Sequence, residues 1–239
     1  HYVIVEHGED GRYKLRKAVD LSKDQSYVLY SLSQEQLSHT MFPLGSMHKS
    51  ETRKIAEAHG FISAKRKESQ DICFIPDGDY ASFIERYTGK KIASGNFVDM
   101  DGNILGIHKG IIHYTVGQRK GLGLALKHPM YVQYIDVDNN EVVLGSNEDL
   151  FKRELTAHNF NWVSIACPDA PFRAKARIRY KHKEAPATIT PLSETEVKIV
   201  FDEPQRAITK GQSVVVYDGD YVVGGGKIVQ HITHAILKK

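Results

Sequence analysis

The stretch ESQDICFIP contains one cysteine, Cys73, that either does chemistry or fills space. Its apolar neighbours Ile72 and Phe74 predict a buried strand, and free cysteine is among the most buried residue types. Asp71 before it and Pro76 after it place the thiol near a chain reversal, where a partly exposed thiolate could act as a nucleophile. The residues alone favour packing and leave the chemical role open.

A row of basic residues occupies every second position of the stretch RAKARIRYKHK. In a strand, this spacing places six cations on one face and residues suited to a core, such as Ala176 and Ile178, on the other. An edge strand needs only one or two charges against aggregation, whereas six in register repel one another without a counter-charge. Such a row matches a phosphate backbone and predicts nucleic-acid contact. The six cations are Arg173, Lys175, Arg177, Arg179, Lys181 and Lys183.

A glycine-rich basic loop, HYTVGQRKGLGLALKHP, combines Gly117, Gly121 and Gly123 with the cations Arg119 and Lys120. Glycines let backbone N–H groups approach phosphates closely. The spacing matches neither GxGxxG after a strand nor GxxxxGK[ST], so no dinucleotide or Walker-type site is predicted. An ordinary flexible turn explains the same glycines.

Metal chemistry is not indicated by the histidines or the cysteines. The 12 histidines are scattered and show no HExxH or two-His-carboxylate spacing. The two cysteines, Cys73 and Cys167, lie far apart without a CxxC pattern, so neither a disulfide framework nor a zinc site is predicted. The stretch SKDQSYVLY places Lys23, Asp24 and Gln25 before an apolar run, where a helix-capping loop explains them.

The elements that hold these groups belong to a globular protein of several units. With 239 residues and 41% apolar content, the chain can bury a core large enough for two or three of them. No stretch approaches the ~18 to 20 continuous apolar residues of a membrane span, so we expect a cytoplasmic protein without a membrane partner. The net charge is +3, and residues 151–239 carry 14 Lys/Arg against 9 Asp/Glu, a modest sign of a polyanionic partner.

The first part of the chain reads as a hairpin followed by helices. HYVIVEH and YKLRKAV are β-prone runs around GEDG, and an opening on a strand without a lead-in predicts that residue 1 is not the natural start. Ser33 and Gln36 have capping-box spacing, and Ser50 is the predicted N-cap of a second helix that ends at Gly60. A third helix follows in DGDYASFIERYTG, with an Asp cap, an apolar face and Gly89 at its end.

From about residue 92 onward the pattern changes to strands. GNFVDMDGNILG and YVQYIDVDNNEVVLG predict hairpins around Asp/Asn/Gly turns. Between Leu155 and Ile236, short β-prone runs alternate with turn signals, which is typical of a small antiparallel barrel or sandwich. The glycines at 224–226 mark a bulge or a close backbone approach. The sequence therefore predicts an α/β start, a mixed middle piece and an all-β end.

Five motifs, in this order and spacing, closely resemble the tRNA-specific 2-thiouridylase family: KDQSYVLYSL, ESQDICFI, HYTVGQRKGLGL, ARIRY and ITKGQSVVVYDGDYVVGGGKI. The resemblance spans essentially the whole chain. It implies an α+β, multi-domain fold, in which residues 1–75 resemble the tail of an α/β PP-loop (ATP pyrophosphatase) domain. Residues 76–150 then correspond to a small mixed central domain, and residues 151–239 to a C-terminal antiparallel β-barrel.

The resemblance also implies an activity. Family members use ATP, with Mg²⁺, to adenylate the C2 oxygen of the wobble uridine in a tRNA anticodon stem-loop, and a cysteine persulfide then delivers sulfur to that carbon. Cys73 matches the persulfide-bearing cysteine, which a persulfide sulfur donor protein would load. A first catalytic cysteine, absent here, would free the product by forming a disulfide with Cys73.

Further positions match the tRNA side of the family, some of them at the target base. Cys167 matches no functional position, so we expect it to be packing. The tRNA-binding positions that the resemblance implies are His1, Lys23, Asp24, Gln25, Arg179, Tyr180 and Gln212, and charge alone adds Arg119, Lys120 and Arg177.

The family pattern also identifies parts that this sequence lacks. The SGGxDSS phosphate loop of the ATP-binding domain is not in the sequence. We therefore expect ATP to be bound by residues outside this chain, and the chain to be inactive alone. The alternative is a non-catalytic RNA-binding module, in which the basic strand and the barrel hold RNA and Cys73 is structural core.

Overall fold

The structure, a computed structural model, describes residues 2–65, 75 and 79–229. The chain forms two compact units. The first contains His1–Arg66, Arg153–Pro204 and Ile208–Lys239, and the second contains Lys67–Lys152 and Gln205–Ala207. The domain boundaries predicted from the sequence stay predictions, because this division follows packing and draws the first unit from both ends of the chain.

In the described part of the chain, no helix is long and apolar enough to cross a membrane. Short 3-10 turns lie at Ile62–Lys65, Ile111–His113 and Glu148–Leu150. The helices and strands in chain order are β1 (Val3–His7), β2 (Tyr13–Lys17), α1 (Ser26–Leu29), α2 (Gln34–Ser38), α3 (Lys49–Ala58), α4 (Tyr80–Thr88), β3 (Gly95–Val98), β4 (Ile104–His108), β5 (Tyr131–Asp136), β6 (Glu141–Gly145), β7 (Phe151–Trp162), β8 (Phe172–Arg177), β9 (Ala185–Pro191), β10 (Val197–Arg206), β11 (Ser213–Asp218) and β12 (Tyr221–Val229).

Six strands of the first unit close into an antiparallel barrel. Their order is β12, β11, β8, β9, β10 and β7, and β7 pairs again with β12. This closing pair excludes the sandwich and confirms the predicted barrel. Inward-facing apolar side chains fill it, because successive residues of a strand point to opposite faces. The most deeply buried include Leu155, Ala187, Ile189, Ile199 and Phe201.

Glycines in β12 let neighbouring groups approach the strand closely. A Cβ at Gly224 would lie 2.4 Å from the carbonyl oxygen of Asn161, and one at Gly225 would lie 2.6 Å from the ring of Tyr30. The pairing register also shifts, between β11 and β12 after Val216 and between β12 and β7 after Gly225. The predicted bulge and close approach are therefore both present, and the ring that follows α1 rests directly on the barrel wall.

The opening hairpin of β1 and β2 extends the barrel sheet. β2 pairs with β12 at Arg16↔Tyr221, and the Arg12 Nη2 donates to the Trp162 carbonyl oxygen at 2.8 Å. A hydrophobic cluster lies between the hairpin, the first helices and the barrel, so neither end of the chain completes this core alone. Its buried members are Val3, Leu15, Tyr27, Tyr30, Leu37, Val163, Val215, Tyr217 and Val222.

Two helix ends follow the sequence prediction. The Ser33 hydroxyl accepts from the Gln36 backbone N–H at 3.1 Å, and the Gln36 side chain accepts from the Ser33 N–H at 2.9 Å. This reciprocal capping box starts α2. Gly60, at φ 73°, follows the end of α3 in the left-handed conformation that ends many helices.

The prediction of Ser50 as the N-cap of α3 is wrong, because the helix begins earlier, with His48 as its N-cap. Two carboxylates satisfy donors at this end. The Glu51 carboxylate accepts from the His48 N–H at 2.8 Å, and the Asp20 carboxylate accepts from the Lys49 N–H at 3.0 Å. The Asp20 contact comes from a separate loop, so local spacing could not predict it.

The second unit is built on a four-stranded sheet in the order β4, β3, β6, β5. Both predicted hairpins, β3–β4 and β5–β6, are confirmed, and a parallel pairing of β3 with β6 joins them. Gly102 and Asn140 adopt the positive φ that the two turns require, at 86° and 53°. The core of this sheet contains Phe97, Tyr114, Leu122, Val132, Val142 and Leu144.

The predicted helix in this unit, α4, has the expected caps. The Asp79 carboxylate accepts from the Ser82 N–H at 3.1 Å and from its hydroxyl at 2.6 Å, which lowers the pKa of Asp79. Gly89, at φ 66°, ends the helix. The predicted apolar face is largely exposed among the described residues, with Tyr80 at 42% and Tyr87 at 82%.

Candidate functional site

The basic stretch is a strand in its first half only. β8 ends at Arg177, so the prediction of one strand face with six cations is wrong. β9 runs antiparallel to β8 with Ala185 opposite Ala176, and the residues between must reverse the chain. The last three cations therefore lie in this turn, residues 178–184. Ala176 in β8 and Ile178 at the start of the turn are both buried, as predicted.

One cation of β8 already has a counter-charge. The Arg173 guanidinium forms two hydrogen bonds with the Asp202 carboxylate, at 2.8 and 2.5 Å. These bonds lower the pKa of Asp202 and raise that of Arg173. The repulsion expected along the row is thus relieved at this end, and Lys175, Lys181 and Lys183 are left as exposed cations.

Arg177 lies between two tyrosines, which together form what we call the Arg177 cluster (Tyr27, Arg177 and Tyr180). Its guanidinium carbon is 5.5 Å from the ring centroid of Tyr27 and 5.7 Å from that of Tyr180. The two rings meet edge to face, 6.0 Å apart. An arginine over two aromatic rings gains cation–π attraction, so the cluster fixes the turn against α1.

Arg179 and Tyr180 contact two other segments of the same unit. An Arg179 Nη2 donates to the Thr209 hydroxyl at 2.7 Å, and the Thr209 carbonyl oxygen accepts from the Gln212 N–H at 3.2 Å. The Tyr180 hydroxyl donates to the Asp24 carbonyl oxygen at 3.3 Å. Positions from three distant parts of the sequence therefore converge here, as the resemblance would require of one RNA-binding surface.

The loop before α1 is fixed by its backbone. Lys23 donates its N–H to the Asp20 carbonyl oxygen at 3.0 Å, and Gln25 donates to that of Tyr2 at 3.1 Å. Gln25 occupies the N-cap position of α1 without a side-chain cap. The side chains of Lys23 and Gln25 are half-buried beside the turn that carries Tyr180.

Asp24, in contrast, is buried and turned inward. One carboxylate oxygen accepts from the Ala18 N–H at 3.0 Å, and the other accepts from the Ser26 hydroxyl at 2.5 Å. The Ser26 oxygen lies 3.2 Å from the hydroxyl of Tyr217, a residue of β11 whose pKa is raised by burial. The Asp24 carboxylate therefore organises the loop from within.

A half-buried cation, Lys17, contacts the same network from β2. The Lys17 Nζ lies 4.6 Å from the ring centroid of Tyr217 and 2.7 Å from the Glu184 carboxylate. It also donates to the Gly219 carbonyl oxygen at 3.1 Å. Both ends of the turn after β8 are thus anchored, one by Arg177 and the other by Glu184.

We expect Tyr27 to make the protein sensitive to alkaline pH. Burial raises the pKa of Tyr27 to about 12, and the neighbouring Tyr30 adds to the shift. Because this pKa is above the ordinary 10.0, the contribution of the neutral Tyr27 side chain to the stability of the fold is complete below about pH 10. It is lost as the pH rises towards 12. Denaturant titrations across this pH range should therefore show that the free energy of unfolding falls more steeply with pH for wild type than for Tyr27→Phe.

Tyr87→Phe, which alters an exposed tyrosine, is the matched control and should follow the wild-type profile. Identical profiles for wild type, Tyr27→Phe and Tyr87→Phe would contradict the prediction.

The glycine-rich loop lies in the second unit and has the backbone geometry that its glycines suggest. Gly117, Gly121 and Gly123 have φ values of 88°, 75° and 73°. The Gly117 N–H donates to the Val132 carbonyl oxygen at 2.8 Å, so the loop uses this donor internally. Residues 121–130 line an open groove together with the exposed Arg119, and Lys120 is also exposed.

Two predicted site residues, Cys73 and His1, lie outside the described residues. The other cysteine, Cys167, is a half-buried free thiol whose pKa is raised, first by burial and then by Glu194 and Asp169. A raised pKa disfavours the reactive thiolate. Cys167 thus has the surroundings of a packing residue.

Within the described ranges, no three His, Cys, Asp or Glu side chains lie together in a way that could hold a metal. His108 is buried, and its ring nitrogens are engaged: Nδ1 accepts from the Gly110 N–H at 3.0 Å, and Nε2 donates to the Asn140 carbonyl oxygen at 3.1 Å. The absence of a metal site in the whole chain stays a prediction.

Sequence reasoning missed the residues that hold the site together. Ser26 and Tyr217 anchor Asp24, and Tyr27 completes the Arg177 cluster. The one local signal was the SYVLY run, since Tyr27 and Tyr30 share a helix face and their hydroxyls contact Ser213, at 2.7 Å to its carbonyl oxygen and 3.0 Å to its hydroxyl. The remaining partners come from distant strands and left no local pattern.

Comparison with known proteins defines the class of this chain. Three family models match successive parts of it. The one described as "tRNA methyl transferase HUP domain" matches residues 1–77, "tRNA methyl transferase PRC-barrel domain" matches 81–146, and "Aminomethyltransferase beta-barrel domain" matches 152–228.

Curated relatives are similar along almost the whole chain. The tRNA-specific 2-thiouridylase MnmA of Acetivibrio thermocellus is 54% identical over 229 residues, which are 95% of this chain and 64% of the relative. The MnmA of Clostridioides difficile is also 54% identical, over 95% of this chain and 63% of the relative. That of Halothermothrix orenii is 50% identical, over 97% and 64%. The chain belongs to the family of the tRNA-specific 2-thiouridylases, and it spans a little under two thirds of the length of these relatives.

Proposed function

We propose that this chain is the sulfur-transfer and tRNA-holding part of a longer tRNA-specific 2-thiouridylase. That enzyme replaces the C2 oxygen of the wobble uridine with sulfur. One observation carries the proposal: three tRNA-side segments that the resemblance implies, Lys23–Gln25, Arg179–Tyr180 and Gln212, are linked by hydrogen bonds in the folded first unit. Lys23–Gln25 lies more than 150 residues before Arg179–Tyr180 in the sequence. The contact between these segments therefore arises only through folding, and it supports a common surface.

Cys73 has the chemical role in this proposal. Its thiolate attacks the terminal sulfur of the donor protein's persulfide, and the donor cysteine leaves as a thiolate. The terminal sulfur of the resulting Cys73 persulfide then attacks C2 of the adenylated uridine, and the C2 oxygen leaves with AMP. Cys73 is then left to form a disulfide with a cysteine outside this chain, which frees the product. The resemblance of SQDICFI to the family's persulfide stretch supports this assignment.

The sequence contains no recognisable phosphate-binding motif for ATP and Mg²⁺. The SGGxDSS phosphate loop is not in the sequence, and the glycine-rich loop uses its Gly117 N–H for its own fold. We therefore assign ATP binding to residues outside this chain, and we propose that the chain alone is inactive. The tRNA anticodon stem-loop and the donor protein are the proposed partners, and the cytoplasm is the proposed location.

The test is the formation of 2-thiouridine by the full-length enzyme, with tRNA, ATP, Mg²⁺ and a persulfide donor. Mass spectrometry of the digested nucleosides distinguishes the exchange of oxygen for sulfur from the gain of a methyl group, which the family-model descriptions would suggest. Sulfur should appear only when ATP and the donor are both present, and a tRNA without a wobble uridine is the control. Tight tRNA binding with no modified base would instead favour the non-catalytic RNA-binding module.

A further inference from the structure

We propose that Arg177 is a positioning residue that sets the turn of residues 178–184 against the loop of Lys23–Gln25, and that it does not contact a phosphate. This inference rests on the proposed function, because it concerns how the same surface holds tRNA. It departs from the expectation, drawn from charge alone, that Arg177 is one of the RNA-contacting cations.

The position of Arg177 in the fold makes it suited to this role. As the last residue of β8, it lies opposite Val215 in β11, so its backbone is fixed in the barrel wall. Its guanidinium reaches out over the rings of Tyr27 and Tyr180, and one Nη donates to the Tyr180 carbonyl oxygen. A single side chain therefore joins the barrel, α1 and the turn.

Both tyrosines of the cluster also donate hydrogen bonds to segments of the proposed RNA-binding surface. The Tyr27 hydroxyl donates to the Ser213 carbonyl oxygen at 2.7 Å, next to Gln212. The Tyr180 hydroxyl donates to the Asp24 carbonyl oxygen at 3.3 Å, within the Lys23–Gln25 loop. Displacing either ring would shift segments that the proposed function uses.

The surroundings of the guanidinium argue against a phosphate contact. Arg177 is half-buried, and its Nε is buried without a hydrogen-bond partner among the described residues. Lys181, four residues further on, is exposed on the same turn. Lys181 is thus open to a phosphate, whereas the Arg177 guanidinium already lies over two rings and donates to the Tyr180 carbonyl oxygen.

The test separates the effect of the positive charge of Arg177 from that of its planar guanidinium group. Arg177→Lys keeps the positive charge but loses the planar group that lies on two rings, and Arg177→Met loses both. We expect each change to weaken tRNA binding by the full-length enzyme about fivefold or more, with no change in the slope of log affinity against log salt. The matched control, Lys181→Met, should lower that slope by about 0.7 to 0.9, and Lys181→Arg should restore it.

A second measurement needs no RNA. Tetranitromethane nitrates accessible tyrosines, and peptide mass spectrometry reports each site separately. Both Arg177 variants should increase the nitration of Tyr180, while the fully buried Tyr217 stays unmodified and confirms that the protein is folded. If nitration of Tyr217 shows that Arg177→Met is unfolded, Arg177→Lys decides alone.

The outcomes separate the inference from the proposed function. Arg177→Lys could bind tRNA like wild type while Arg177→Met lowers the slope of log affinity against log salt. In that case Arg177 contacts a phosphate and the inference is wrong, although the proposed function stands. Unchanged binding and unchanged Tyr180 nitration in both variants would also overturn it. If wild type itself binds tRNA no better than a non-cognate RNA hairpin, both the proposed function and the inference fall.

Discussion

We expect Cys73→Ser to abolish 2-thiouridine formation by the full-length enzyme, with little change in folding and tRNA affinity. Serine has nearly the volume of cysteine but cannot hold a persulfide, so neither more ATP nor more donor restores turnover. ATP-dependent activation of the uridine can still proceed. The measurement combines nucleoside mass spectrometry with thermal unfolding of the same variant.

Cys167→Ser is the matched control, because Cys167 is a half-buried thiol outside the proposed chemistry, and thiolation should persist. If Cys73 were only core, Cys73→Ser would lower stability by about 1 to 3 kcal/mol through the buried hydroxyl and leave turnover measurable. Normal thiolation with a lowered melting temperature would end the persulfide assignment.

Asp24→Ala destabilises the first unit strongly. The change leaves the Ala18 N–H and the Ser26 hydroxyl without their acceptor, next to the buried Tyr217 hydroxyl. Each of these two unsatisfied buried groups costs about 1 to 3 kcal/mol, so we expect the free energy of unfolding to fall by about 2 to 6 kcal/mol. Denaturant titration of the full-length protein measures it.

Asp24→Asn is the matched control, since the amide oxygen can still accept from the Ala18 N–H and the Ser26 hydroxyl can reverse its role to accept from the amide. It should lose much less stability than Asp24→Ala. The resemblance places Asp24 at the target base, so a direct contact with RNA is the competing account. Loss of thiolation in Asp24→Ala at unchanged stability would favour that account.

The parts of the fold that depend on neighbouring residues could be predicted from the sequence. Ser33 and Gln36 are three positions apart, so their capping box can be recognised from the sequence. Gly89 ends α4 because few other residues adopt its positive φ. The hairpins follow in the same way, since their turns need residues that tolerate positive φ, such as Gly102 and Asn140.

The parts that depend on distant partners could not be predicted. The end of β8 at Arg177 is set by β9, which must pair with it in reverse, and alternation of cations alone carries no signal for that reversal. The sequence predicted Asp24 as part of a helix-capping loop or as a tRNA contact, because Tyr217, which completes its network, lies almost two hundred positions away. Long-range packing decided both cases.

The pairing of β2 with β12 also sets an order of events during synthesis. Arg16 leaves the ribosome long before its partner Tyr221, by roughly 10 to 40 s at about 5 to 20 residues per second. Until then the opening hairpin and its helices cannot bury Leu15 against the barrel, and the whole second unit is made in the interval. Contacts this distant in sequence form slowly. We therefore expect the segment from β1 to α2 to stay incompletely packed until β12 is made, and a premature stop before β12 to leave its apolar side chains with an incomplete core.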